Sequence, residues 1–574
     1  MKIPLKRAAE LFLLTAVSIG LGWAAHQATA TPEPALSGYV PAGALLYLEA
    51  KDLSSLLSDW NASPQKQAWL ASSNYEVFSR SRLLLRLRDA GRQFATAAGL
   101  PPDMNFLTQV AGGQSALALY DIGKLQFLYI TRSPSATAMQ SQLWQTRSRF
   151  ESRRAGGGMF YLRRDPESDR EVAFAVNGNY LLLSTREDLM ASALQLMSAN
   201  TGNGASQDRG IEADPWWAQS VAAAGPPGDL RMVLNLDKIV PSPYFRSYWV
   251  QQNVTDMKEY AAAVSDLFRT KETYREERVL LKKVAASAGV PEDVSGLVRL
   301  VPQSAGFYQA ESCPSVESCL APLETKILAP HSGSHPPDQI APQVSLSSGE
   351  VGATSDLEAR IDQPSMQRGS DSQAAAALKT ILQKNQVAAV LQVQSTEPDS
   401  GGVFVKIHSA VVLAAGGDWD EVAARQALGE FLGPKLTASG LGVGWKQMDN
   451  YYQLDGLQTL VAAVRGKYLL VSDNAGLISD MLGNVNRRVE MKPASFMAGF
   501  NHCGERNNFY RLATLVDRPD LGPSGIPSGD KQPQFFSENI ASLSTTLAGI
   551  SSEKIVVRDR GDKVLQTVTY EWSQ

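Results

Sequence analysis

The residues best suited to chemistry are scarce in this chain, which has five histidines and three cysteines in 574 residues. His331 and His335 stand four apart, the spacing that lets two imidazoles share a metal on one helix face. They lie in His331-Ser-Gly-Ser-His335-Pro-Pro, a stretch that cannot hold a helix, so no metal site is expected there. His408 falls in Val405-Lys-Ile-His-Ser-Ala-Val411, which reads as a strand carrying a satisfied or exposed histidine. His502-Cys503 sets a base beside a nucleophile, but neighbours in sequence point apart, and the chemistry needs the ring within hydrogen-bond reach of sulfur. Cys503 is expected as a buried apolar thiol.

Other catalytic patterns fail on spacing. Gly113-Gln114-Ser115-Ala116-Leu117 lacks the closing glycine of a nucleophile elbow. Gly440-Leu-Gly-Val-Gly-Trp445-Lys446 has neither the spacing of a phosphate loop nor a hydroxyl residue after the lysine, and reads as a turn. Asp418 with Asp420, and Asp356 with Glu358, read as solvated surface; Arg560-Gly561-Asp562 reads as a hairpin tip. No catalytic residue, cofactor or metal ligand can be named on these grounds.

Two features carry other chemistry. Cys313 and Cys319, in Cys-Pro-Ser-Val-Glu-Ser-Cys, are close enough to close a local disulfide in an oxidising compartment. Arg80, Arg82, Arg86, Arg88 and Arg92 crowd a stretch holding Leu83, Leu84, Leu85 and Leu87. A basic amphipathic helix of this kind lies on anionic lipid or docks an acidic partner. The competing reading is a core-packed helix whose arginines cover its flanks.

The balance of 54 Lys and Arg against 58 Asp and Glu, net −4, argues against nucleic acid as a partner. A hydrophobic content of 44% with 20% charged residues suits a packed chain of several domains. At the amino end, Lys2, Lys6 and Arg7 precede the apolar run Leu11 to Ala25, and Ala28-Thr-Ala30 offers a small-residue cleavage site. That is the pattern of a signal peptide over 1–30, with an uncleaved membrane anchor as the alternative. The expected location is therefore the periplasm or cell envelope.

What positions any site is an internal repeat. Val40-Pro-Ala-Gly-Ala-Leu-Leu-Tyr47 matches Val301-Pro-Gln-Ser-Ala-Gly-Phe-Tyr308 at four of eight positions. Ala175-Val-Asn-Gly-Asn-Tyr-Leu-Leu-Leu-Ser184 matches Ala463-Val-Arg-Gly-Lys-Tyr-Leu-Leu-Val-Ser472 at seven of ten. A weaker pair sets Arg231 and Asp237 against Arg511 and Asp517. The second match reads as a hairpin turning at Asn177-Gly178 and Arg465-Gly466, followed by a helix capped from Ser184 in one copy and from Ser472 or Asp473 in the other. Each copy reads as an opening strand, a helical stretch, a strand pair, a helix (136–150; 420–432), a glycine-rich turn, the hairpin and the capped helix. The fold class is α+β, with two diverged tandem-repeat lobes of mostly antiparallel sheet and interleaved helices. The boundaries are 31–252 for the first lobe, 253–293 for a bridging helical segment, and 294–574 for the second lobe. The second lobe carries a Ser/Gly/Pro-rich insertion at 329–373.

On Tyr39-Val-Pro-Ala-Gly-Ala-Leu-Leu-Tyr47, the Ala175–Ser184 hairpin and the closing Thr567-Val-Thr-Tyr-Glu-Trp572, the chain resembles an uncharacterised bacterial family of exported proteins, a domain of unknown function. The resemblance implies coverage of nearly the whole mature chain, and brings no activity or site residues. The functional expectation is an exported, non-enzymatic binding or scaffold protein of the envelope. Its partner would be an envelope protein, a lipid or a glycan, with membrane-surface contact. The alternatives are an exported hydrolase with an acidic site in the inter-lobe cleft, and a carrier of an apolar ligand.

Overall fold

Runs rich in Val, Leu, Tyr and Thr, punctuated by glycine-containing turns, form the strands of this protein. The computed structural model describes residues 35–80, 82–200, 209–243, 257–285, 291–328, 374–398, 405–436, 444–454, 459–508 and 549–572. The segments read as a leader (1–30), as an insertion (329–373, with His331, His335, Asp356 and Glu358) and as a turn at Gly440 lie outside these residues, as do Arg511 and Asp517.

The first half contributes β1 (Leu46–Ala50), β2 (Ser115–Asp121), β3 (Gln126–Arg132), β4 (Glu151–Ala155), β5 (Gly158–Arg164), β6 (Glu171–Asn177), β7 (Tyr180–Ser184), β8 (Leu230–Asn235), β9 (Tyr260–Arg269) and β10 (Thr273–Lys282). The second half contributes β11 (Phe307–Ser312), β12 (Ala389–Pro398), β13 (Val405–Ala414), β14 (Lys446–Gln447), β15 (Tyr452–Leu454), β16 (Leu460–Arg465), β17 (Tyr468–Ser472), β18 (Phe496–Asn501), β19 (Ile550–Asp559) and β20 (Lys563–Trp572).

The chain forms two compact units. One runs up to Ala44 and includes Phe94–Tyr120 and Gln126–Pro215. Its sheet order is β4-β5-β6-β7-β3-β2. The other holds Leu45–Gln93, Asp121–Leu125 and the described chain from Trp216 onward. Its antiparallel order is β14-β15-β16-β17-β13-β12-β11-β18-β19-β20-β10-β9-β8-β1. When β1–β10 are set against β11–β20, the orders coincide. The run β4-β5-β6-β7-β3-β2 recurs as β14-β15-β16-β17-β13-β12, and β1-β8-β9-β10 recurs as β11-β18-β19-β20. The fold is α+β, with antiparallel sheet and interleaved helices.

The registers carry the equivalence residue by residue. Tyr47 faces Val233 and Tyr308 faces Gly499, so Val233 corresponds to Gly499. Val233 faces Val264 and Gly499 faces Lys554, which extends the match into β9 and β19. Leu128 faces Ser184 as Ala410 faces Ser472. Ser184 Oγ donates to Phe127 O and accepts from Arg186 N; Ser472 Oγ donates to Ser409 O and accepts from Asn474 N. Both hairpins turn one residue later than the sequence suggests, on Gly178-Asn179 and Gly466-Lys467. Each glycine takes a positive φ (56° and 54°), as the first position of a tight hairpin turn requires.

Four other expectations are corrected. The segment 253–293 is not a bridging helix: its described centre is the β9–β10 hairpin, where Arg278 pairs with Glu276 along β10 and Ser265 Oγ on β9 donates to Glu276 across the hairpin. A mixed-charge run serves a solvated helix face and a cross-strand ladder equally well. Residues 136–150 form short turns, Ser135–Ala138, Gln142–Gln145 and Thr146–Arg149, instead of one helix. In the second copy the helix after the hairpin is capped by Asn474, whose Oδ1 accepts from Leu477 N, and not by Ser472 or Asp473. The lobe limits also do not follow the compact units, since β1, β8, β9 and β10 group with the second half.

In the second half, the paired stretch of β13 and β17 is buried on both sheet faces. Val411, Leu413, Leu469 and Val471 pack with helices Val316–Leu323, Ala374–Lys384 and Glu421–Leu436. Ala410, Val412 and Leu470 pack beneath helix Ala475–Gly483 and the turn Ser295–Leu300. Strands covered on both sides read as continuous apolar runs, which is how Val411 to Leu413 and Tyr468 to Val471 appear in the sequence.

Candidate functional site

Side chains alternate along paired strands, so each face of β12 and β13 collects its own set. One face carries Thr396, Val405 and Ile407, and Phe307 of β11 and Phe500 of β18 join them around a cavity of about 140 Å³. The chain then leaves β18 at Asn501, whose Oδ1 accepts from Gly504 N at 2.9 Å and starts a helical turn. That turn brings Glu505 back over Gly306. The carboxylate occupies the space that a Cβ on residue 306 would fill, so the arrangement requires glycine there. Glu505 is 5% exposed. Thr396 Oγ1 donates to Glu505 Oε2 and accepts from Asn508 Nδ2 at 2.7 Å. Asn508 thus fixes the hydroxyl so that its proton faces the carboxylate. Burial raises the Tyr308 phenol above its ordinary range, with a smaller push from the Glu571 charge.

The first half carries other side chains at the matching positions. Asn235 N donates to Leu45 O just as Asn501 N donates to Gly306 O, and Asn235 Oδ1 accepts from Lys238 N as Asn501 does from Gly504. The backbone is therefore the same, and Gly306 replaces Leu45, Phe500 replaces Leu234, His502 replaces Leu236, and Glu505 replaces Ile239. Leu236 and Ile239 are buried, and Leu236 packs with Val240, Ala263 and Leu234. Apolar side chains fill one copy where the other has a glycine and an acid. Sequence reasoning missed this site because it sought motifs. A comparison of Asn235-Leu-Asp-Lys-Ile239 with Asn501-His-Cys-Gly-Glu505 contains the signal.

The residues singled out from sequence fare differently. Cys313 and Cys319 are bonded, with Cα atoms 5.4 Å apart, at the start of helix Val316–Leu323. Cys503 is exposed, not a buried thiol, because it sits on the outer side of the turn that buries Glu505. His502 Nε2 lies 3.6 Å from Glu553 Oε2, with its ring edge-on to Phe500. His408 is a satisfied sheet histidine: Nε2 is 3.1 Å from Glu397 Oε1 and Nδ1 is 3.6 Å from Asp473 Oδ1. Asp420 Oδ1 accepts from Val422 N and Ala423 N at a helix start, and Gly561 forms the last hairpin tip at φ 88°.

The basic stretch lies among four helices, α1 (Leu53–Ala62), α2 (Pro64–Leu70), α3 (Ser73–Ser79) and α4 (Arg82–Ala98). Arg80 pairs with Glu76, Arg86 and Arg92 both reach Asp89, and Arg88 is exposed; Arg82 opens α4. Leu85 is 53% exposed and Trp60 45%, and Leu70, Phe78 and Leu87 are exposed as well. Among the described residues, no three His, Cys, Asp or Glu side chains gather as metal ligands, and no helix is long and apolar enough to cross a membrane.

No protein-family model matches the chain, and no curated protein matches it. Among solved structures, crystal forms I, IV and III of TP0453 are similar over 45%, 44% and 46% of this chain and 82%, 81% and 83% of theirs. Identity is 12%, 11% and 11%, with a TM-score of 0.23 in each case.

Proposed function

We propose that this chain is an exported, non-enzymatic binding protein of the cell envelope, a tandem duplication whose second copy holds a small ligand in the Gly306–Glu505 cavity. The observation that carries this reading is the divergence of equivalent positions. A backbone shared by both halves is packed with Leu236 and Ile239 in one and opened by Gly306 and Glu505 in the other. An apolar cavity with a few convergent polar groups is the usual form of a small-ligand site. Glu505 stands with a threonine and an asparagine instead of a second carboxylate, which favours binding over paired-carboxylate hydrolysis. The Lys2 to Ala30 leader and the Cys313–Cys319 bond support export to an oxidising compartment, and the resemblance to an exported bacterial family agrees. The test is native mass spectrometry of the mature chain purified from the envelope of its own host. A retained small molecule, lost in Gly306→Leu, is expected; an identical spectrum for both proteins removes the reading.

A second reading concerns the helices. Residues 53–93 hold six Lys and Arg against three Asp and Glu in a chain of net −4, and they expose Trp60, Leu70, Phe78, Leu85 and Leu87. Positive charge beside exposed apolar side chains suits an anionic lipid surface. Co-sedimentation with phosphatidylglycerol vesicles but not phosphatidylcholine vesicles is expected. Binding that survives replacement of Arg80, Arg86, Arg88 and Arg92 by Gln overturns it.

A further inference from the structure

We infer that the cavity of the second half takes a protonated amine attached to an apolar body about the size of one aromatic ring. The inference rests on the binding reading above and names its ligand class.

The lining contains one ionisable side chain, Glu505, and no cationic one among the described residues. A carboxylate this buried is costly unless a charge or several donors compensate it. The one hydrogen bond described for it comes from a neutral hydroxyl, and Asn508 holds that hydroxyl in place. A cationic ligand supplies the missing countercharge. The rings of Phe307 and Phe500 also border the cavity, and aromatic faces attract ammonium groups. An anion would meet Glu505 at close range, and a neutral ligand would leave the carboxylate uncompensated. Val405 and Ile407 supply further apolar wall, and Gln394 adds one neutral amide beside Thr396 and Asn508. The volume of about 140 Å³ limits the body, since an apolar cavity of roughly 150 Å³ holds benzene. The first half has Ile239 in place of the acid, so the preference belongs to the second copy.

The test is calorimetric titration of the full mature chain at pH 7 with benzylammonium, benzyl alcohol, benzoate and ethanolamine. Benzylammonium is expected to bind at least about tenfold more tightly than benzyl alcohol, and benzoate not at all. Ethanolamine has the amine without the apolar body and so stands for a lipid headgroup; it is expected to bind at least about tenfold more weakly than benzylammonium. In Glu505→Gln the advantage of the amine over the alcohol should vanish. Should that variant not fold, Ile407→Trp, at a half-exposed position, is expected to block all four probes. Benzyl alcohol binding as tightly as benzylammonium overturns the amine assignment and leaves the pocket standing. Ethanolamine matching benzylammonium overturns the ring-sized body. If no probe binds and Gly306→Leu leaves the native mass spectrum unchanged, both readings fall.

Discussion

The two halves share strand order and the Ser184 and Ser472 corners, yet they fill their interiors differently. In the first half Arg231 and Asp266 face each other across β8 and β9, both buried. Arg231 Nε lies 2.8 Å from Asp266 Oδ1, Nη2 lies 2.7 Å from Oδ2, and Gly228 N also donates to the carboxylate. The matching pair in β18 and β19 is Met497 with Val556, packed in an apolar cluster. Arg231 therefore corresponds to Met497, not to Arg511 as the sequence match suggested. At the site the trade runs the other way, with Ile239 in the first half and Glu505 in the second. Backbone pairing holds the framework, and a polar or apolar filling is interchangeable only when every partner changes together.

Several experiments break or sharpen this contrast. The largest effect is expected from Arg231→Met, which leaves Asp266 buried without its partner and should cost about 3–5 kcal/mol in urea unfolding. Arg231→Met with Asp266→Val copies the second half and should recover most of that loss. A double variant as unstable as the single one would show that the halves are not interchangeable here. Next come the corners. Ser184→Ala and Ser472→Ala each remove a buried hydroxyl that both donates and accepts, and each should cost about 1–3 kcal/mol. The two losses should agree closely; a large disparity breaks the equivalence. Gly306→Leu with Glu505→Ile restores the first half's filling. It should leave stability within about 1 kcal/mol of the parent while eliminating ligand retention.

The smallest expected effect is on pH dependence. Asp559 stands where the first half has Arg269, and its carboxylate lies 2.7 Å from Lys282 Nζ. Burial pushes its pKa up, but the Lys282 ammonium and Gly561 N–H outweigh that and hold it below the usual range. A depressed folded pKa contributes stability above the unfolded value near 4, and that contribution is lost as the pH falls through the folded value. Asp559→Asn should therefore flatten the acid limb of the unfolding midpoint, by less than about 1 kcal/mol for a pair so close to solvent. An unchanged acid limb would remove the link.

The likeness of the two halves was legible because hairpin chemistry is local. Gly178 and Gly466 need positive φ, and the runs from Leu181 and Leu469 are buried throughout. The local disulfide was legible for the same reason, with six residues separating Cys313 from Cys319. The β9–β10 hairpin was not, because Arg275-Glu-Glu-Arg278 is satisfied by helix spacing and by strand pairing alike, and β20 on one side with β9 on the other decided between them. Cys503 was misjudged because thiols are often buried, whereas the turn set by Asn501 exposes it and buries Glu505.

By itself the sequence determined the α+β class and the two similar hairpins, each with its following helix, since each depends on residues close together in the chain. The tertiary structure decided which residues meet. Thr396, Asn508 and Glu505 are more than a hundred positions apart at their extremes, and Gly306 is remoter still. Their convergence follows from β11 lying between β12 and β18, a long-range pairing that no local pattern encodes.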